Sequence, residues 1–148
     1  MAFTVTEHLF VLLLLFAYFA QYTQGFTLFK RYHVYISNGL PVNSQDLQIH
    51  VFSGDNDLGY HNLKVNEIFS WEFEMNLFQN TKFYSHFSWG DKERSFAVFD
   101  KHIAPKCGPY DEDTCFWIAK EDGFYFAGIN TRHEDAQKMN WWVNKTTM

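Results

Sequence analysis

The sequence lacks several features that mark common classes of protein. It has no run of basic residues and a formal net charge of −5, so nothing in it attracts nucleic acid or an anionic membrane surface. It contains neither G-x-S-x-G nor HExxH, the motifs of many hydrolases and metalloproteases. It has no internal repeat or low-complexity linker, and its length allows one domain. We therefore expect a single domain that binds no nucleic acid and is not an enzyme.

Long hydrophobic segments are also scarce, since the longest apolar run, Leu9 to Ala20, has 12 residues. A membrane-spanning helix needs about 20 apolar residues. A shorter run that is followed by polar residues is typical of a signal peptide. Gly25 is a small residue suited to cleavage, so we expect a signal peptide over 1–25 and a secreted domain over 26–148 with no membrane anchor. The segment before the run is atypical of a signal peptide in having no Lys or Arg. An uncleaved anchor is the alternative, but the run is too short for one.

Metal ligands and cysteines are few and poorly spaced. No two of the seven histidines have the spacing of metal ligands, and the acidic segment 55–59 does not match a calcium loop. We therefore predict no metal and no cofactor. Cys107 and Cys115 are the only cysteines, and an even count in a secreted chain suggests a disulfide worth about 2.5 kcal/mol. A pair of free thiols is the alternative. The acidic loop between the two cysteines is expected to be exposed, and the bond would attach it to the edge of a sheet.

Aromatic residues are abundant, with 17 Phe, 8 Tyr and 5 Trp; such residues favour strands and fill cores. Apolar and polar residues alternate with period two in about seven segments: 32–37, 47–52, 69–75, 83–89, 96–98, 116–118 and 124–126. Turn signals separate them, and Asp122-Gly123 is the clearest hairpin signal. No stretch after residue 25 has a helical period, although 136–143 fits either a helical turn or a last strand. The pattern predicts an antiparallel sandwich or barrel.

Three other groups of residues are candidates for function. Glu72 and Glu74 share a strand face and could serve a glycosidase, although a solvated outer face is the simpler interpretation. One of Trp141 and Trp142 could be exposed and stack on a sugar. Asn144-Lys145-Thr146 is an N-glycosylation sequon, so Asn144 is a candidate glycan site.

Several motifs occur together in an order that resembles the plant self-incompatibility S-protein homologues. The series runs from about residue 30 to 130 and consists of YHVYISN (32–38), LQIH (47–50), SGDNDLGYH (53–61), FSWEF (69–73), FYSHFSWG (83–90), SFAVFD (95–100), Cys107, CFW (115–117) and KEDGFYF (120–126). The resemblance implies a small secreted β-sandwich. It also implies a role as an extracellular ligand recognised by a cell-surface receptor, as in pollen–pistil recognition, and no catalysis.

One departure from the family concerns cysteines. Its members usually have four, and the first pair falls where this chain has Val51 and Ser85. Both are absent together, as expected if they would bond each other. The second pair is retained as Cys107 and Cys115, and Ser85 would need a hydrogen-bond partner if it is buried.

A ligand of this kind would be a monomer that presents loops from a rigid sandwich. The candidate loops are 53–63, 76–82, 89–94 and 101–114. The charged residues expected to contact a receptor are Asp55, Asp57, Asp91, Lys92 and Arg94. The alternative function is a module that binds cell-wall carbohydrate through Trp141 or Trp142.

Overall fold

The computed structural model describes residues 4–22, 29–76, 80–108, 113–128 and 135–146. Helix α1, Val5–Tyr22, contains the apolar run of the predicted signal peptide, and all the side chains described in it are exposed. No helix in these ranges is both long and apolar enough to cross a membrane. The predicted cleavage point after Gly25 lies outside the described residues.

Strands make up most of the chain after α1, which confirms the all-β class. They are β1 (Phe29–Asn38), β2 (Leu47–Ser53), β3 (Asp57–Leu63), β4 (Ile68–Asn76), β5 (Phe83–Trp89), β6 (Lys92–Phe99), β7 (Asp113–Lys120), β8 (Gly123–Ala127), β9 (Gln137–Asn140) and β10 (Val143–Asn144). A short 3₁₀ helix, Ala104–Lys106, precedes Cys107. The described strands number ten rather than seven, because short polar strands escape the period-two pattern.

The strands form two five-stranded sheets that pack as a sandwich. The first sheet has the order β4-β1-β7-β8-β9, and the second has the order β10-β6-β5-β2-β3. All the strand pairs are antiparallel except β1 and β7, which run parallel with Tyr32 opposite Asp113. The prediction of an antiparallel sandwich is therefore correct apart from this one pair.

Aromatic side chains from both sheets meet in one core. The ring centroids of Phe87 and Phe124, on facing sheets, are 4.6 Å apart, and those of Phe96 and Trp117 are 5.1 Å apart. The Trp117 indole N–H donates to the carbonyl of Val98 at 2.8 Å, so its one polar group is satisfied. The period-two pattern thus places one face of each central strand in this core.

A buried asparagine connects β1 to the turn between β3 and β4. The Asn38 side chain is fully buried; its Nδ2 donates to the Leu63 carbonyl at 2.8 Å and its Oδ1 accepts from the Leu40 N–H at 3.0 Å. Its backbone N–H donates to the Glu67 carbonyl. Asn38 therefore joins three segments at one end of the sandwich.

The predicted hairpin at Asp122-Gly123 is present between β7 and β8, displaced by one position. Lys120 is paired with Gly123, so the two turn residues are Glu121 and Asp122. Gly123 has φ +148°, and a Cβ there would lie 2.3 Å from the Asn140 carbonyl oxygen of β9. Glycine at 123 therefore permits the close approach of β8 and β9.

Candidate functional site

The four candidate loops contain more regular structure than the sequence indicates. Strand β3 occupies most of the 53–63 segment, and β6 begins within 89–94. The 101–114 segment includes the 3₁₀ helix and the start of β7, while residues 109–112 lie outside the described residues. Residues 77–79 of the 76–82 segment are also outside them. The charged side chains proposed for receptor contact consequently lie in several structural settings.

Asp55 and Asp57 lie in and just after the β2–β3 turn. The Ser53 hydroxyl donates to Asp55 at 3.0 Å, and Asp57 Oδ1 accepts from the Gly59 N–H at 2.8 Å. The same oxygen of Asp57 is 2.9 Å from His50 Nε2. The Gly59 N–H and then His50 hold the pKa of the Asp57 carboxyl below its usual value. These contacts agree with an acidic turn whose side chains bond nearby groups.

Asp91 lies in the β5–β6 turn, and Lys92 and Arg94 follow it on the same face of β6. Asp91 is exposed, and the Lys92 ammonium lies 5.0 Å from the centre of the Trp89 ring. Arg94 bridges the two sheets, because its Nε donates to Asn140 Oδ1 of β9 at 2.8 Å. Its guanidinium also lies over the Trp141 ring at 5.0 Å. Arg94 thus has internal partners on the opposite sheet.

The predicted site residues fall at opposite ends of the second sheet. Ser53, at the end of β2, is paired with Phe83 at the start of β5, whereas Trp89, at the other end of β5, is paired with Lys92. The length of β5 separates the two turns by about 20 Å. Asp55 and Asp57 therefore cannot form one compact site with Asp91 and Lys92.

Cys107 and Cys115 form a disulfide with their Cα atoms 4.7 Å apart, within the usual 4.4–6.8 Å range. Both residues are buried, and Cys115 lies on β7, a central strand of the first sheet. The sequence suggested a bond that attaches an exposed acidic loop to a sheet edge. That interpretation is wrong for Asp113, which is 5% exposed and pairs with Lys30 at 2.6 Å.

The carboxylates considered for glycoside hydrolysis lie on the outer face of the first sheet. Glu74 accepts a hydrogen bond from Arg31 at 3.0 Å, and Glu72 lies opposite His33 on β1. Both glutamates are exposed, which is the solvated setting that the sequence favoured. Within the described ranges, no three His, Cys, Asp or Glu side chains are grouped so that they could hold a metal ion.

Trp141 and Trp142 differ in environment, as expected of neighbours in an extended segment. Trp142 packs on Phe124 and Trp89, and its indole N–H donates to the Lys120 carbonyl at 2.7 Å. Trp141 is 59% exposed, with Arg94 over its ring. Of the two, only Trp141 has surface available for stacking on a sugar.

Asn144 of the sequon is exposed at the end of β10, an edge strand of the second sheet. It is paired with Lys92, the neighbour of Glu93 on β6. Because successive strand residues point to opposite faces, Asn144 points away from the face that carries Glu93. A glycan at Asn144 would leave that outer face uncovered.

That outer face is the most distinctive surface of the second sheet, and we call it the histidine face. It consists of alternate residues on four strands: Gln48, His50 and Phe52; Asp57, Tyr60 and Asn62; Tyr84, His86 and Ser88; Glu93, Ser95 and Ala97. His50 and His86 are directly paired at its centre. The period-two pattern of the sequence identifies the β2 and β5 members of this face, but it does not identify β3 and does not show which strands are adjacent.

The side chains of the histidine face are ordered by contacts with each other. The rings of His50 and Tyr60 stack with centroids 4.0 Å apart and an interplanar angle of 10°. His86 Nδ1 lies 2.7 Å from the Ser95 hydroxyl, and His86 Nε2 lies 3.7 Å from Glu93. Tyr60 is nevertheless 79% exposed. Rings that stack side by side in this way present their edges and polar atoms to solvent.

An open groove of about 680 Å³ adjoins the histidine face at Tyr84. It lies between the β2–β3 turn, the end of β4 and the start of β5, and its rim includes Asp55, Asn56 and Lys82. It has charges of both signs and no enclosed floor, so its chemistry does not select one class of ligand.

Comparison with known proteins gives a consistent family assignment. The family model described as plant self-incompatibility protein S1 matches residues 33–142. S-protein homolog 74 of Arabidopsis thaliana is 38% identical over 98 residues, which cover 65% of this chain and 62% of that protein. S-protein homolog 1 of the same plant is 32% identical over 116 residues, which cover 77% and 74%. The match thus spans less than two thirds of homolog 74.

A solved structure of SPH (self-incompatibility protein homologue) proteins resembles the chain with a TM-score of 0.50. The alignment covers 76% of this chain and 95% of that one at 19% identity. Those proteins are described as a widespread family of small, highly stable, secreted proteins from plants. At this identity the likeness bears on the fold, and it agrees with a sandwich of this topology.

Proposed function

The chain belongs to the plant self-incompatibility protein S1 family, and we propose that it is a secreted ligand of a cell-surface receptor protein. The observation that carries the proposal is the family match over residues 33–142, which includes the strands β2 to β9 and part of β1. Secretion is supported by the apolar helix at the amino terminus and by the description of the SPH proteins as secreted. Recognition between pollen and pistil is one setting in which such a ligand would act.

The rigidity of the sandwich supports a role in which a partner recognises a preformed surface. A buried disulfide and an aromatic core common to both sheets hold the sandwich rigid, so its surface is ordered before a partner arrives. Preorganisation of this kind lowers the entropic cost of binding.

The proposal is tested with the protein as it is exported by plant cells. The full chain is expressed with a carboxy-terminal tag, and the mature product is purified from the medium. We expect its amino terminus at Phe26 or a near neighbour, and we expect saturable binding of the labelled product to intact protoplasts. Retention of Met1 on a membrane-bound product would contradict secretion, and binding that never saturates would contradict a receptor.

The carbohydrate-binding alternative is separated by a glycan array. Trp141 is the exposed aromatic that motivates it. Saturable binding of the mature protein to a wall polysaccharide, abolished by Trp141→Ala, would favour the alternative over a receptor ligand.

A further inference from the structure

We infer that the histidine face is the receptor-docking surface and that it binds a cationic protein surface. This inference rests on the proposed function as a receptor ligand, and it identifies the surface of the chain that contacts the receptor. It follows from the composition, charge and exposure of the face.

The composition of the face is that of a recognition surface. The exposed outer side of a sheet ordinarily carries scattered polar residues. Here Phe52, Tyr60 and Tyr84 lie beside His50 and His86, and the rings of Phe52 and Tyr84 stack at 6.0 Å. Tyrosine combines a rigid apolar ring with a hydroxyl and is enriched at protein interfaces. Tyr60, the most exposed of these rings, is the expected anchor.

The charges of the face select the chemistry of the partner. Its twelve side chains include Asp57 and Glu93 but no Lys or Arg. Lys145 lies at the margin, where its ammonium donates to the Gly90 carbonyl at 2.8 Å. The outer side of the first sheet, in contrast, carries both signs, with Arg31 beside Glu74 and Lys138 beside Asp122. A partner surface that presents Lys or Arg would complement the acidic residues of the histidine face, whereas an anionic surface would be repelled by them.

A second copy of the chain does not fit this face. If two copies met face to face, neither would supply a Lys or Arg from this face to offset the Asp57 and Glu93 carboxylates of the other. Strand spacing also gives the face an area of about 400 Å², about half of what each partner buries in a stable complex. The face is therefore the centre of a contact with a different protein that extends past its edges.

Binding to protoplasts at pH 7.5 tests the inference with two variants of the mature protein. Tyr60→Ala removes the expected anchor, and we expect the apparent Kd to rise about tenfold or more. Asp57→Asn/Glu93→Gln removes both acids, and we expect a rise of about fivefold and a weaker dependence of the Kd on salt. Circular dichroism and thermal melting check that each variant is folded.

Matched controls carry equivalent changes elsewhere. Val42→Ala alters a side chain that is 78% exposed in the β1–β2 loop. Glu72→Gln/Glu121→Gln removes one exposed acid from β4 and one from the β7–β8 turn. Both controls should bind within about twofold of wild type, which is the range of a neutral surface change.

The possible outcomes separate the two proposals. Saturable wild-type binding that neither face variant weakens would overturn the docking surface and leave the receptor-ligand function intact. Absence of saturable wild-type binding would overturn both. Wild-type binding that survives protease treatment of the cells would overturn the assignment of a protein partner, because a lipid or glycan would then be the ligand.

Discussion

Val51 on β2 lies directly opposite Ser85 on β5, and both side chains are fully buried. These are the positions at which the resemblance to the S-protein homologues implies a first pair of cysteines. The hydroxyl of Ser85 has no hydrogen-bond partner among the described residues. The chain thus keeps two buried residues paired across β2 and β5, but no disulfide joins them, and the Ser85 hydroxyl is a buried polar group without a partner in the part of the chain that the structure describes.

Introducing the pair of cysteines should stabilise the domain. Val51→Cys/Ser85→Cys would close a loop of about 35 residues, so we expect the free energy of unfolding to rise by about 4 kcal/mol on the chain-entropy model. Urea denaturation of the oxidised and reduced double variant measures the gain. Single cysteine variants are the control, and equal stability of the oxidised and reduced forms would contradict the prediction.

Removing the Ser85 hydroxyl should also stabilise the protein. Ser85→Ala removes the unpaired buried hydroxyl at this position, so we expect the free energy of unfolding to rise by about 1 kcal/mol. Ser95→Ala is the control, because the Ser95 hydroxyl has His86 as its partner. Urea denaturation that shows Ser85→Ala less stable than wild type would mean that the hydroxyl is satisfied in solution.

Asn38→Ala should have the opposite effect. It would leave the Leu63 carbonyl and the Leu40 N–H without their partners at a buried position, which we expect to cost about 3 kcal/mol of unfolding free energy. Asn62→Ala, at an exposed position on β3, should cost under about 0.5 kcal/mol. A similar loss in both variants, measured in urea, would show that the Asn38 network contributes little.

Acid stability should depend on Asp122. Tyr125 and then Lys138 hold the pKa of its carboxyl below the ordinary value of 3.8. The native state therefore binds this proton less readily than the unfolded state. The resulting stability is fully present above pH 3.8 and is lost as the pH falls from 3.8 through the lowered pKa.

In Asp122→Asn the melting temperature should fall less steeply with acid below about pH 4 than in wild type. The neighbouring exposed turn residue provides the control as Glu121→Gln. Parallel acid profiles for wild type and Asp122→Asn would disprove the link.

Glycosylation at Asn144 stays a prediction of the sequon and is supported by the exposure of this residue. The secreted protein should lose mass on treatment with a peptide N-glycosidase, and Asn144→Gln should remove that shift. A mass shift that persists in Asn144→Gln would place the glycan elsewhere.

The sequence predicts the central strands well, because a buried face imposes period-two alternation on strands such as β1, β2 and β5. It misses β3, whose DLGYHNL segment has few apolar residues, since an edge strand buries little side-chain surface. It also leaves 136–143 undecided; the structure places β9 within that segment and begins β10 at Val143. Edge strands are defined by their hydrogen-bonded neighbours, which one sequence does not identify.

The candidate site was harder to predict for a related reason. Loop position and charge suggested Asp55, Asp57, Asp91, Lys92 and Arg94, but strand order separates the first two from the others. The same strand order brings His50 and His86 together from segments far apart in sequence. Local patterns indicate which face a residue occupies, whereas pairing decides which residues share that face.

The parallel pairing of β1 with β7 also constrains when the domain can fold. The first strand to emerge in synthesis sits in the middle of a sheet, and one of its neighbours begins only at Asp113. A chain stopped before that residue would lack a strand beside β1 and would lack Cys115, the partner of Cys107 in the disulfide. Contacts so distant in sequence form slowly. The nascent polypeptide should therefore stay unfolded until most of it has been synthesised. An unfolded chain of this kind is the form that an export channel could translocate.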